Sequence, residues 1–395
     1  MFMSIQIKGQ IKGQIKEQIK RQFKKSVFLC IVLSSQTMVA AVLPEDRADA
    51  LYHSYEGGGV KVDGPSILIR KRFLDDFSVA VNYYVDMVSS ASIDVVTTAS
   101  KYTEERNQYS VGVDYLNVNT TLSLNISNSS ENDYESDTVS FAISQDFFSN
   151  LTTLAIGYST SSDTVMKNGQ EDFKEEVDRQ NYRLDLTQII SKNFLMTLAV
   201  EGITDEGFLN NPYRSVRFVD STVALGYSYQ LEVYPNTKTS TAVALSGKYF
   251  LPYRAALSAE YRNYSDTWGV AGQSFELGYI HPFGEHFIFE VTLRSYQQNE
   301  ADFYADLFPF QNAQNFLARD KELSSFTSNS VGLGVSYEFK MAMAGFEKGS
   351  VNLYYNFMQF KYDNFRDVRV ALTPGTEPLY ELDAGVIRAF VSFWF

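Results

Sequence analysis

The chain has 395 residues and a formal net charge of −13, which argues against nucleic acid as a partner because an acidic surface repels a polyanion. Aromatic residues make up 15% of the chain, and nearly all of them are Tyr (26) or Phe (30), whereas only nine residues are Pro. A large soluble β-protein could have this composition, but a membrane barrel with an aromatic girdle at each interface explains it better.

The first 41 residues have the order of a secretory signal peptide. Seven lysines and arginines are followed by an uncharged stretch at 26–39 and by small residues at 40 and 41. We expect cleavage before Val42, which also removes Cys30, so the mature chain has no thiol for a disulfide, a nucleophile or a metal site. The removed segment holds seven of the 34 basic residues and one of the 47 acidic residues, so the mature chain carries 27 against 46 and a formal charge of −19.

Beyond residue 77 the hydrophobic residues alternate with period two, which predicts strands with two chemically different faces. In the stretches 77–85 and 331–339 the odd positions are apolar or aromatic, and the positions between them are mostly small or polar. No run of 18 apolar residues follows Val42, so the sequence offers no transmembrane helix. In an outer-membrane barrel the apolar face of such strands meets lipid and the polar face lines the lumen.

The connections between these strands alternate between short and long. Short turns are predicted at 116–119, 148–150, 191–193, 251–254 and 283–285, and long polar stretches at 89–107, 163–177, 205–238, 301–326 and 363–380. Short periplasmic turns and long external loops give barrels this asymmetry, whereas a soluble sandwich gives no reason for it.

The pattern predicts fourteen strands, within a range of 12 to 16, and the total should be even because both chain ends lie in the periplasm. The expected fold is therefore all-β, a transmembrane antiparallel up-and-down barrel, in which the stretch 205–238 could hold an external hairpin. The predicted strands lie near 77–88, 108–115, 120–127, 137–147, 151–161, 178–190, 194–204, 239–250, 255–266, 271–282, 286–300, 327–339, 350–362 and 381–395.

The last strand ends the chain on an aromatic residue. Its apolar face is predicted to be the signal that the outer-membrane assembly machinery recognises, and an ordinary C-terminal strand is the alternative. The residues of this face are Ile387, Ala389, Val391, Phe393 and Phe395.

The segment 54–73, which precedes the predicted barrel, is not expected to form a strand of the barrel wall. Counting 66–73 as one more strand would make the total odd, and the consecutive Arg70, Lys71 and Arg72 would turn at least one cation toward lipid. We predict that residues 54–73 fold inside the lumen as a plug whose three cations pair with lumen carboxylates; a short extra strand or a periplasmic tail is the alternative. The predicted divisions are a signal peptide (1–41), a periplasmic or lumenal plug-like segment (42–73) and a barrel (74–395).

Several segments of the chain resemble an uncharacterised family of bacterial outer-membrane barrels that is known only as a domain of unknown function. The resemblance covers nearly all of the mature chain, implies a barrel, and brings neither an established substrate nor catalytic residues. The segments are SYEGGGVKVDGPSILIRK (54–71), NYYVDMVSSASIDVVTTAS (82–100), DEGFLNNPYRSVRF (205–218) and LFPFQNAQNFLARDKELSSF (307–326).

Few residues suit a catalytic or metal site. His281 and His286 flank a turn on the predicted periplasmic side, away from the outer half where barrel hydrolases work, and we interpret them as rim residues. His53 has no evident partner. The acidic stretches 131–137 and 171–178 lack the spacing of a calcium loop and are interpreted as solvated loop. No catalytic, cofactor-binding or metal-binding residue is predicted.

The aromatic string at 302–310 leaves two interpretations open. A loop folded over the barrel mouth would bury these side chains, and a binding surface would expose them.

Side chains alternate between the two faces of each strand, and the apolar face is taken to be outward. This alternation predicts which charged residues line the lumen. The excess of inward acids over inward bases predicts that any pore prefers cations, although a closed, salt-bridged core fits the same pattern. The inward acids are Asp86, Asp114, Asp146, Asp185, Glu201, Glu260, Glu276, Glu290 and Glu338, and the inward bases are Arg183, Lys248, Arg262, Arg294 and Arg388.

The sequence therefore predicts an exported barrel of the bacterial outer membrane, in contact with its lipid and lipopolysaccharide, that passes or binds an unknown small solute without a cofactor. A structural or surface-interaction barrel with a closed lumen and partner-binding loops is the alternative. An outer-membrane hydrolase ranks third, and the chain is predicted not to be an enzyme.

Overall fold

The structure is a computed structural model that describes residues 42–89, 103–343, 345–370 and 373–395. The predicted signal peptide at 1–41 lies outside these residues, and so does most of the predicted loop at 89–107. No helix in the described ranges is long and apolar enough to cross a membrane.

Strands account for most of the described chain. The first nine are β1 (Arg47–Gly57), β2 (Val60–Phe73), β3 (Phe77–Ser89), β4 (Thr103–Asn117), β5 (Thr120–Ser130), β6 (Tyr134–Phe147), β7 (Thr152–Met166), β8 (Lys174–Ser191) and β9 (Phe194–Gly207). The next nine are β10 (Ser215–Val219), β11 (Tyr227–Leu231), β12 (Thr237–Phe250), β13 (Ala256–Asp266), β14 (Ala271–Phe283), β15 (Phe287–Gln298), β16 (Phe326–Met343), β17 (Phe346–Arg366) and β18 (Leu379–Trp394). A 3₁₀ turn (Lys321–Leu323) precedes β16.

Sixteen of these strands close into one antiparallel barrel. Each pairs with its neighbour in the chain, except that β9 pairs with β12 and that β1 closes the ring against β18. Strands β10 and β11 form a separate hairpin between β9 and β12. The predicted all-β antiparallel barrel is confirmed, and its strand number lies within the predicted range.

The predicted plug is wrong, because residues 47–73 form two strands of the wall. Strand β2 pairs with β1 on one side and β3 on the other, so two strands are added and the total stays even. Gly58 and Gly59, both with positive φ, make the tight turn between them, as a two-residue hairpin requires. The barrel therefore begins at Arg47 and not at residue 74.

The three consecutive cations that suggested the plug are accommodated at the edge of the wall. The Lys71 ammonium lies 2.8 Å from the Asp46 carboxylate, and Arg72 lies 3.2 Å from it. Register with β3 turns Arg70 and Arg72 inward and Lys71 outward. A cation near the end of a strand costs only about 0 to 1 kcal/mol on the lipid side, so Lys71 is tolerated there.

The two faces of the wall have opposite character. Outward residues on neighbouring strands are apolar and exposed, such as Leu333, which is 54% exposed, and Leu353. Inward residues at the same level, such as Ser350 and Asn352, are polar and buried. This is the reverse of the usual distribution in soluble proteins, in which large apolar side chains are inside.

Connections at the two ends of the barrel differ in length. At the end where the chain enters and leaves the wall, Phe395 N–H donates to the Asp46 carbonyl, and the five short turns predicted from the sequence lie at this end. The opposite end carries the long connections at 208–236, 299–325 and 367–378, so the predicted asymmetry is present.

The pairing of β1 with β18, which closes the barrel, can be tested directly. In a chain with Cys30→Ser, the pair Ala50→Cys and Val391→Cys should form a disulfide on mild oxidation, because these residues are register partners on the outer face. A denaturing gel without reductant, followed by mass spectrometry of tryptic peptides, measures the bond. The control pair Leu51→Cys and Val391→Cys points to opposite faces and should stay reduced. Equal yields for the two pairs would contradict this closure.

Candidate functional site

Three cavities lie against the polar face of the wall, which identifies this face as the barrel interior. Their volumes are ≈ 340, ≈ 350 and ≈ 270 Å³. The first shares Lys238 and Tyr264 with the second, and shares Thr138, Ser161 and Arg179 with the third. Together they form one arc along the inner wall from β4 to β15.

The strand register places all fourteen charged residues predicted for the lumen on this inner face. Several of them pair with one another. Arg183 Nε lies 2.7 Å from the Asp185 carboxylate, and Arg262 reaches across β12 to Glu201 at 2.8 Å. Because a paired charge presents little net field, these two pairs neutralise part of the predicted lumen charge.

Other carboxylates of the inner wall are satisfied by hydroxyl groups. Ser123 donates to Asp114 at 2.6 Å, and Thr153 donates to Asp146 at 2.6 Å. The wall between β5 and β7 is lined mainly by Ser and Thr on its inner face. This sector is hydrophilic without being strongly charged.

The register also turns inward several charged residues that parity reasoning missed. Among them the bases outnumber the acids, so the inner face is closer to neutral than the sequence predicted. The further bases are Arg47, Arg70, Arg72, Arg106, Arg179, Lys238, Lys340 and Lys348, and the further acids are Asp49, Glu104, Asp163, Glu175, Asp205 and Asp266.

His53 has a partner that the sequence did not reveal. Its Nε2 lies 2.7 Å from the Asp86 carboxylate and 3.1 Å from the Tyr84 hydroxyl, and its ring stacks on Tyr84. Arg106 lies 3.8 Å from the other carboxylate oxygen of Asp86. These contacts join β1, β3 and β4 across the inner wall, and His53 was missed because β1 was not recognised as a strand.

The other two histidines lie beside the short turn between β14 and β15. The Tyr279 hydroxyl lies 2.8 Å from Nδ1 of His281, and Nδ1 of His286 lies 2.8 Å from the Glu338 carbonyl. Neither belongs to a group of three metal-ligating side chains in the described residues. Their place at the end with the short turns agrees with the interpretation as rim residues.

Three carboxylates meet near the mouth of the third cavity. One oxygen each of Glu104, Glu131 and Asp133 lies within 4.8 Å of the other two, and the Tyr213 hydroxyl donates to Asp133 at 2.6 Å. The interpretation of 131–137 and 171–178 as solvated loop is therefore wrong in part, because β6 begins at Tyr134, β8 begins at Lys174, and a distant loop binds Asp133.

The long connections fold together over one end of the barrel and form a lid, which we define as residues 208–236, 299–325, 367–370 and 373–378. In its larger apolar cluster, Tyr234, Phe303 and Tyr304 pack with Trp268. In a second cluster, β10 packs on Phe308 and Leu317. Of the two interpretations left open for the aromatic string, burial applies to Phe303, Tyr304 and Phe308, whereas Phe310 is 59% exposed.

A buried ion cluster holds the lid together. The Arg217 side chain is fully buried and pairs with Asp306 and Glu377, which belong to two other connections. Arg319 lies 2.9 Å from Asp306, and its N–H donates to Glu232 at 2.7 Å. Removing one partner from a buried ion pair typically costs about 3–5 kcal/mol, so this cluster can decide whether the lid is folded.

The lid bridges the mouth of the barrel. Its Tyr213 hydroxyl donates to Asp133 in the β5–β6 connection and accepts from the Asn168 N–H in the β7–β8 connection, at 2.6 and 2.8 Å. Four residues later, Arg217 binds Glu377 in the β17–β18 connection. Connections from separate parts of the ring therefore meet above the lumen.

The lid should loosen at acidic pH. Burial alone would raise the pKa of Glu377, but hydrogen bonds from Arg217 and the Gly375 N–H hold that pKa below its ordinary value of 4.5. A lowered folded-state pKa stabilises the lid above pH 4.5, and that stability is lost as the pH falls through the folded value.

Amide hydrogen exchange of β10, corrected for the intrinsic rate, should therefore show lower protection at pH 3.5 than at pH 7. The acidic condition is chosen because it lies about one unit below the ordinary pKa of a Glu side chain. Glu377→Gln should have low protection at both pH values. Equal protection of the unmodified protein at the two pH values would contradict a role for the Glu377 charge.

Comparison with solved structures finds barrels at low sequence identity. The siderophore receptor PirA from Acinetobacter baumannii is 9% identical, with 89% of this chain and 60% of that chain covered and a TM-score of 0.42. A bacterial polysaccharide outer membrane secretin is 9% identical, with 89% and 100% covered and a TM-score of 0.46. A Pseudomonas aeruginosa FadL homologue is 9% identical, with 89% and 91% covered and a TM-score of 0.42. The chain spans about three fifths of the length of the siderophore receptor.

No curated protein matches the chain. A family model does match, over residues 95–363, which is more than half of the sequence. The resemblance to an uncharacterised family that the sequence showed is thereby confirmed. The chain belongs to the family described as "Protein of unknown function (DUF3570)".

Proposed function

We propose that this protein is an exported outer-membrane barrel through which small hydrophilic solutes cross, and that its lid closes the external mouth. The observation that carries the proposal is the reversed polarity of the wall, with apolar side chains exposed outside and a hydrophilic, cavity-lined face inside. The exposed apolar side chains form a belt around the outside of the wall. Such a belt is stable in lipid, whereas in water so large an apolar surface would aggregate.

Aromatic pairs near both edges of the belt support its placement in a bilayer. Phe77 and Tyr115 pack at 4.7 Å near the end with short turns, and Tyr83 and Tyr109 pack at 4.8 Å toward the other end. Tyr109 and Tyr115 are six residues apart on β4, which is about 20 Å along a strand at roughly 3.3 Å per residue. Aromatic girdles flank an apolar band of about 25 Å in outer-membrane barrels.

The partners of the belt follow from this placement. Outer-membrane lipid contacts the exposed apolar face, and lipopolysaccharide contacts its external edge. Register with β1 and β17 turns Ile387, Ala389, Val391 and Phe393 outward, which supports their role as the signal for the assembly machinery.

The inner wall supports passage of hydrophilic solutes with weak charge selectivity. Sixteen strands are enough to leave an aqueous channel between the walls. Ser and Thr line one sector, two ion pairs, Arg183–Asp185 and Arg262–Glu201, neutralise part of the charge elsewhere, and the inward acids and bases are nearly equal in number. The cation preference predicted from the sequence should therefore be small.

A structural or surface-interaction barrel is the second candidate. The bridged mouth favours it, because the buried Arg217 cluster joins three connections at that end of the barrel. The two functions differ in whether the wall conducts once the lid is released.

Planar-bilayer recordings distinguish the two candidates. Arg217→Met should raise the frequency or size of conductance steps, because it breaks the buried cluster that holds the lid. Arg369→Met is the matched control, since Arg369 is exposed and its ion pair is local, with Asp367 two residues away, and it should leave the recordings unchanged. Replacing residues 209–235 by a short Gly–Ser linker should open the mouth further.

Assembly of each variant is checked first by the heat-induced gel shift of a folded barrel. Assembled variants that show no steps, including the one without the lid segment, would contradict the channel and favour the structural candidate.

A further inference from the structure

A cleft of ≈ 620 Å³ opens on the lid, separate from the arc of cavities inside the barrel. It lies between the connection that carries Trp268 and two parts of the connection 299–325, namely 302–303 and 313–316. Its volume falls within the roughly 300–1,000 Å³ of small-molecule sites. The end of the barrel that carries it is the one with long connections.

The polar groups of the cleft are not used by the protein itself. The side chains of Asp302, Gln314 and Asn315 line it and make no hydrogen bond to any described residue. Asp302 is held in place because its N–H donates to the Trp268 carbonyl at 2.8 Å. Its carboxylate lies over Gly269, where a Cβ would collide with it.

The aromatic groups of the cleft provide a rigid floor and one exposed ring. Trp268 and Phe303 are almost fully buried, and Tyr234 packs against both. The indole N–H of Trp268 donates to the Thr237 carbonyl at 3.0 Å, which fixes the ring. Phe316 is 41% exposed at the side of the cleft.

This combination fits a neutral polyhydroxylated ligand. Each amide offers both a donor and an acceptor, and a carboxylate accepts two hydrogen bonds, which matches vicinal hydroxyl groups. The apolar C–H face of a sugar ring packs on an exposed aromatic ring such as Phe316. None of the described residues that line the cleft is Lys or Arg, and Asp302 disfavours an anion.

We propose that this cleft binds a neutral saccharide on the external side of the lid. The ligand is either a free sugar or the end of a neutral surface glycan, since both present the same hydroxyl groups. The proposal is independent of solute passage, because binding to the lid is measured without conductance.

Tryptophan fluorescence tests the proposal in the folded full-length barrel. The chain has two tryptophans, and Trp394→Phe leaves Trp268 as a reporter in the cleft. Titration with maltose, cellobiose, lactose and mannobiose should give a saturable change for at least one of them. Titration with a neutral O-polysaccharide tests the surface glycan, and a response to one probe but not the other identifies the source.

Three variants check that the response comes from the cleft. Phe316→Ala and Asp302→Ala should each weaken binding about tenfold, the loss that corresponds to one well-placed contact of about 1.4 kcal/mol. Phe310→Ala, on the same loop but outside the cleft, should bind as the parent does.

Absence of a saturable response to all of these neutral probes would overturn the proposal. So would a stronger response to glucose 6-phosphate than to every neutral sugar, or an equal loss of binding in Phe310→Ala.

Discussion

The structure depends on the complete pairing of backbone hydrogen bonds around the wall. In lipid no water is available to satisfy a free N–H or C=O group, so an open strand edge costs several kcal/mol for each unpaired group. Pairing of β1 with β18 over eleven residue positions removes the last two edges. The exposed apolar belt can exist only on a ring that is closed in this way.

Closure of the ring determines that the side chains facing the lumen are polar. With the apolar side chains committed to the outer face, alternation turns the polar residues inward, where they face one another across a wide lumen. Salt bridges such as Arg262–Glu201 and hydroxyl–carboxylate contacts such as Ser123–Asp114 then satisfy the wall from within. The interior is hydrophilic but nearly balanced in charge, which limits how strongly it can select ions.

The lid is held together by a different interaction from the wall. Its strands are too short to hold a long segment in place, and the buried cluster of Arg217, Arg319, Asp306 and Glu377 joins three connections instead. Buried charges are stable only when each has its partner, so the loss of one partner should loosen the lid.

Local patterns in the sequence predicted most of the wall. The period-two alternation in segments such as 331–339 set the parity of each strand, and that parity put every predicted lumen charge on the inner face. Strand β1 was not recognised, and the stretch 66–73 of β2 was recognised as strand-like but assigned to a plug. Counting it without β1 made the total odd, and its three consecutive cations would have turned at least one charge toward lipid.

The lid could not be predicted in the same way. Arg217 and Glu377 are 160 residues apart, and no local pattern relates them. The aromatic string at 302–310 did mark this region, but whether its side chains are buried depends on β10 and on distant loops. The same holds for His53, whose partner Asp86 lies two strands away.

The central claim is that the wall separates lipid outside from water inside, and a spin-label scan along β17 in lipid vesicles tests it most directly. Labels placed one at a time at 351–358 should alternate with period two. Odd positions such as Leu353 should be accessible to oxygen dissolved in lipid, and even positions such as Asn352 to a water-soluble nickel complex. Uniform accessibility along the strand, or alternation of the opposite phase, would contradict the account.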